Sequence, residues 1–136
     1  MSALESLQGA IETRLSEDAS LVQALGGTVR WARSVGRLTA WPYLRWGAVR
    51  ESALDYSGGP GCEFRLTLDV VSRGEGRDAA RLTLAVRESL GRQPPILPAP
   101  WHLDFWQVVY ADTFDRGERR EQRGLVRLHV RMRRAG

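Results

Sequence analysis

Lysine and asparagine are absent from this 136-residue chain, cysteine occurs once and histidine twice. No apolar run approaches the ~18 residues needed to span a bilayer. Each absence removes a class of protein. A single cysteine, Cys62, closes no internal disulfide, and His102 and His129 are too far apart in sequence to suggest a zinc-type cluster, so metal and redox chemistry are not expected and no cofactor is implied. The N-terminal MSALESLQGAIE carries acids where a secretory leader would carry bases and an apolar core, which points to a soluble chain made and folded in the cytoplasm, with no membrane partner. The length fits a single domain over residues 1–136, and neither an internal repeat nor a low-complexity tail interrupts it.

What the chain has in quantity is arginine. All 20 basic residues are arginine, set against 16 acids for a net charge of +4. Together with the missing lysine and asparagine, this is the signature of a GC-rich coding sequence as much as of selection for guanidinium chemistry. The distribution is more informative than the total. Residues 116–136 hold eight arginines against Glu118 and Glu121, a local charge of +6, while residues 1–115 sum to −2. A basic end on a mildly acidic body implies a polar partner: nucleic acid, or an acidic surface on another protein or on a second copy.

Hydrophobic spacing predicts the element order. Ser2 followed by Glu5 has the pattern of a capping box, and Leu4, Leu7, Ile11 and Leu15 then recur at helical spacing. A short second helix with Leu21, Val22 and Leu25 ends at Gly26-Gly27, and Thr28 to Arg33 reads as a short strand. Trp41-Pro42 opens an extended stretch from Tyr43 to Asp55, bent at Gly47, and SGGPG at 57–61 reads as a turn. From Cys62 to Ser72 the alternation is clean: Cys62, Phe64, Leu66, Leu68 and Val70 form an apolar face opposed by Glu63, Arg65, Thr67, Asp69 and Val71. A helix from Arg77 to Leu90 buries Ala79, Leu82, Val86 and Leu90, with Gly91 as its stop.

Four prolines between residues 94 and 100 make a stiff connector to a strand from Trp101 to Phe114. Its apolar parity switches from Leu103 and Phe105 to Trp106, Val108, Tyr110 and Phe114, which a bulge near Phe105 and Trp106 would explain. A charged loop over 115–123 leads to the last strand, Gly124 to Arg134, with Val126, Leu128, Val130 and Met132 inward and Arg127, His129, Arg131 and Arg133 outward. Runs of strands around one later helix predict an α+β fold: an antiparallel or mixed sheet with helices packed on one side.

No catalytic constellation emerges. His102 and Asp104 share a strand face, but no nucleophile is identifiable beside them. The glycines at 58, 59 and 61 lie between strands and lack the strand-to-helix context of a phosphate loop. Two features suggest contact surfaces instead. Trp31, Trp41 and Trp46 interleave with Arg30, Arg33, Arg37 and Arg45, a mixture that interface centres favour and that single-stranded nucleic acid binding also uses. The arginine face of the last strand admits three readings: a solvated surface, a protein interface in which guanidinium groups fork onto carboxylates such as Glu63 and Asp69 of a neighbouring copy, or contact with a DNA backbone.

Several segments in order resemble the tail-completion, or tail-terminator, family of long-tailed phages and gene transfer agents. They are the opening helix ALESLQGAIETRLSEDASL with its glycine pair, AWPYLRWG, the strand EFRLTLDVVSR running into GEGRDAARLTLAVRESL, and the final RGLVRLHVRM after a charged loop. WHLDFW departs from the family pattern in its bulk. The resemblance implies a non-enzymatic virion protein of the tail neck, assembled in the bacterial cytoplasm. It would be a homo-hexameric ring that caps the tail tube protein, joins it to the head-side stopper or connector, and lets double-stranded DNA pass. Subunit contacts or channel lining would then fall to Glu63, Arg65 and Asp69, to Arg127, Arg131 and Arg133, and to Arg116, Arg119, Arg120 and Arg123 of the charged loop. A small basic nucleic-acid-binding module is the competing expectation.

Overall fold

A computed structural model of the chain describes residues 2–32, 40–56, 59–73, 77–115 and 121–135. Within them lie helices α1 (Ala3–Ser16), α2 (Ala19–Ala24) and α3 (Arg77–Arg92), and strands β1 (Tyr43–Tyr56), β2 (Gly59–Arg73), β3 (Trp101–Asp115) and β4 (Glu121–Arg134). The strands form one antiparallel sheet in the order β1-β2-β4-β3, with the helices on one side.

Helix α1 starts where Ser2 Oγ accepts the Glu5 amide at 3.0 Å, satisfying an amide that the helix itself leaves free. Leu7, Ile11 and Leu15 are fully buried in one cluster with Phe64, Leu68, Val70, Val86, Leu90, Val130 and Met132. Asp18 caps α2 by accepting the Leu21 amide, and Gly26 and Gly27 take φ of 91° and 99°, the left-handed backbone that ends the helix. Helix α3 lies across β2, β4 and β3 with Leu82, Val86 and Leu90 inward. Its approach depends on a missing side chain: a Cβ on Gly124 of β4 would collide with Oγ1 of Thr83.

One polar knot ties the three helices together. Ser89 Oγ donates to Asp18 Oδ2 at 2.6 Å and Arg92 reaches the same oxygen at 2.8 Å, while Arg14 donates to the carbonyls of Ser89 and Gln93. The Ser89 bond, joined by the Leu21 amide and Arg92, brings the Asp18 carboxyl from its usual 3.8 down to about 2.

The structure corrects several expectations. Thr28 to Arg33 is not a strand in the described part: Trp31 makes a single parallel bridge to Leu44, whose amide donates to Arg30 and whose carbonyl accepts from Ala32. Gly59, Pro60 and Gly61 belong to β2, paired with Tyr56, Asp55 and Leu54, so the turn is tighter than SGGPG. Gly91 is helical and α3 runs on to Arg92. Strand β4 begins at Glu121, which removes residues 121–123 from the charged loop.

Candidate functional site: an arginine-rich open face

Alternation along β2 and β4 sends every second side chain to the side of the sheet that carries no helix. Cross-strand registry sorts these residues into rungs. One is Ser52, Glu63, Arg131 and Phe105; the next is Arg50, Arg65, His129 and Gln107; then come Thr67, Arg127 and Tyr110, followed by Arg45, Asp69, Leu125 and Asp112.

Two irregularities build this face. Arg45 and Arg50 are five residues apart and would point to opposite sides of a regular strand. The register shift between Trp46 and Val49 returns both to the open side. In β3 the shifts fall between Leu103 and Phe105 and between Val108 and Tyr110. The expected bulge is present, but its consequence differs: Phe105 and Tyr110 face outward, while Leu103, Trp106, Val108 and Ala111 pack on the core.

The carboxylates here are engaged within the chain. His129 Nε2 and Arg131 Nε each lie 2.8 Å from Oε2 of Glu63, and these bonds, His129 the stronger cause, bring the Glu63 carboxyl from 4.5 down to about 2. Phe105 meets His129 edge-on at 4.9 Å and lies beneath the Arg131 guanidinium at 5.2 Å. Asp69, buried, takes Arg45 at 3.2 Å and Arg123 at 3.9 Å. Asp104 takes Arg133 at 3.2 Å, so it serves an ion pair beside the exposed His102. Tyr110 donates to Asp112 at 2.5 Å and lies under Arg127. Glu63 and Asp69, expected to meet arginines of a neighbouring copy, thus already hold arginines of their own chain.

Arg50, Arg65 and Arg127 differ from these. Among the described residues none of the three has a carboxylate partner, and together with Thr67 they line a hollow of about 480 Å³ on the open face. Arg116, Arg119 and Arg120 lie outside the described residues, as do Arg33 and Arg37.

The three tryptophans separate. Trp31 and Trp46 stack at 5.6 Å and pack against the core, with Trp46 Nε1 donating to Glu12. Trp41 is the most exposed of the three, at 36 % under the Arg73 guanidinium, while Trp31 and Trp46 are partly buried. Cys62 is buried, and burial raises its thiol pKa, which favours the unreactive protonated form. Among the described residues no group of three or more potential metal ligands comes together.

Sequence reasoning missed Arg50, Phe105 and Tyr110 as members of this face. The missing signal was the position of each bulge, since a shift of one residue inverts every later side chain.

Residues 9–133, nearly the whole chain, match the family model described as "Tail completion protein gp17". The chain belongs to this tail completion family. Membership makes it a structural tail protein and not an enzyme, in line with the absence of a catalytic constellation in its sequence. None of the curated proteins matches this tail completion family member in sequence. Among solved structures it is similar to a chain of the "Virion of native gene transfer agent (GTA) particle", with a TM-score of 0.81 and 19 % identity over 97 % of this chain and 98 % of that one. It is also similar to the "Structure of bacteriophage SPP1 gp17 protein", with a TM-score of 0.58 and 16 % identity over 94 % of this chain and 89 % of that one. At such identities the likeness is one of fold, an antiparallel sheet with helices on one side, one of the two sheet types, antiparallel or mixed, that the sequence predicted.

Proposed function

We propose that this tail completion protein acts as a single-domain subunit of a six-membered ring that ends the tail tube at the neck of a phage-like or gene transfer agent particle. The ring joins the tube to the head-side stopper and leaves an axial passage for double-stranded DNA. The match of residues 9–133 to the tail completion family carries the reading. The physical design supports it. A closed ring needs two different patches that complement each other across a head-to-tail contact. A sheet with a helical layer on one side and an arginine-rich face on the other offers two unlike surfaces.

The decisive experiment is deletion of the gene followed by electron microscopy of the particles. The expected result is tails of abnormal length or tails unattached to heads, restored by the unaltered chain. Normal particles without the protein would refute the reading.

The trio Arg50, Arg65 and Arg127, which has no acid partner among the described residues, favours one competitor, a nucleic-acid-binding module. That reading predicts tight binding to duplex DNA that falls steeply with salt, whereas a neck ring through which DNA must slide predicts weak binding.

A further inference from the structure

The arginines of the described open face fall into two groups. Arg45, Arg123, Arg131 and Arg133 rest against Asp69, Glu63 or Asp104 of the same chain. Arg50 and Arg65 face one another across β1 and β2 with no acid between them, and Arg127 lies diagonal to Arg65 on β4. Like charges placed opposite one another on adjacent strands are destabilising. The fold therefore keeps three guanidinium groups around one hollow at some cost to its own stability. Val109, 49 % exposed, lines the same hollow. An apolar-sided, guanidinium-ringed depression suits a protein segment carrying a carboxylate better than it suits a smooth row of phosphates.

A counterpart exists on the opposite layer of the molecule. Helix α1 and the connector after α3 bound a groove whose lining includes the small residues Gly9 and Ala10. Ile96 stands in this region 86 % exposed, on a connector stiffened by Pro94, Pro95 and Pro98. Glu5 and Glu17 line the same groove together with Arg14, whose charge is turned to Asp18; neither glutamate has a cationic partner among the described residues.

We propose that the hollow of Arg50, Arg65 and Arg127 is the socket for the exposed Ile96, on the connector that borders the glutamate-lined groove, of a second copy of this chain. The inference rests on the ring reading and specifies its contact. The two patches are opposite in charge, each includes an exposed apolar side chain, and they are different surfaces of the chain, as a head-to-tail contact requires. Guanidinium groups fork onto the carboxylates of the neighbour, which relieves the repulsion that the isolated chain retains.

Charge exchange tests it. Arg65→Glu with Arg127→Glu in one variant, and Glu5→Arg with Glu17→Arg in another, are supplied to cells lacking the native gene. Copies per particle neck are counted by quantitative mass spectrometry, after circular dichroism has established that each variant folds. Each variant alone is expected to lower neck occupancy about tenfold or more, and the combined variant to restore it. A folded single variant that enters necks as the parent does would overturn the socket and leave the ring reading intact. Loss in both variants without rescue in the combination would also overturn it, as would a socket variant that still forms rings but loses binding to a duplex DNA oligomer. Absence of the unaltered chain from necks would instead remove the ring reading. For a variant that does not fold, Val109→Cys with Ile96→Cys in the parent background tests the same contact: oxidation of purified particles should join neighbouring copies, and neck-bound copies that stay unjoined would contradict it.

Discussion

Facing the helices, Phe64, Leu66, Leu68, Leu128, Val130 and Met132 are sealed against α1 and α3; on the other side of the same strands Glu63, Arg65, Arg127 and Arg131 meet solvent. The first face is held by volume and the second by pairing. A close-packed layer responds to the loss or gain of a single methyl group, because its neighbours have nowhere to go. A charged ladder responds weakly to the loss of one partner, because water replaces it. The contrast indicates where function lies. The apolar residues of the packed face are explained by the core, whereas on the open face the arginines without an acid partner among the described residues are those the fold alone does not explain.

Removing volume from the packed face should give the largest effect. Phe64→Ala is expected to cost about 3–5 kcal/mol in denaturant unfolding, since Phe64 is fully buried at the centre of the sheet. Adding volume should cost less. Gly124→Ala, which drives a methyl into Thr83, is expected to cost about 2 kcal/mol, and Thr83→Ala in the same chain should recover much of it. A flat response to Gly124→Ala would mean that α3 can lift from β4.

The helical knot comes next. Asp18→Ala removes both the α2 cap and the acceptor of Ser89 and Arg92, with an expected loss of about 1–2 kcal/mol. Its pH dependence offers a second readout. The Asp18 and Glu63 carboxyls sit at about 2 in the folded chain, below their ordinary 3.8 and 4.5, so their contribution is fully present above pH ~4.5 and is lost as the pH falls toward 2. Unfolding followed between pH 5 and 2 should show that decline, and Asp18→Ala should make it shallower. The smallest effect belongs to the open face: Arg133→Ala, which breaks the exposed pair with Asp104, should change stability by less than about 1 kcal/mol. A larger loss there would erase the distinction between the two faces.

The packed face was legible in the sequence because its rule is local. Alternation from Cys62 to Val70 and from Val126 to Met132, with the helical spacing of Leu7, Ile11 and Leu15, names the core directly. The open face was legible only in part. Arg127, His129, Arg131 and Arg133 follow from the same alternation, but Arg50, Phe105 and Tyr110 depend on bulges whose positions alternation alone does not fix. The Asp18 knot was invisible for another reason: Ser89 and Arg92 lie more than 70 residues from Asp18, and nothing local marks the contact. Trp31 and Trp46 read as surface because arginines surround them in sequence, yet they stack on one another against the core.

Whether this chain ends a tail by closing into a ring at the neck can be decided by electron cryomicroscopy of the intact particle. Six copies of this fold are expected around the axis at the last layer of the tail tube, with their sheets and helical layers in head-to-tail contact. A neck occupied by another protein, or density for this fold elsewhere in the particle, would contradict the ring.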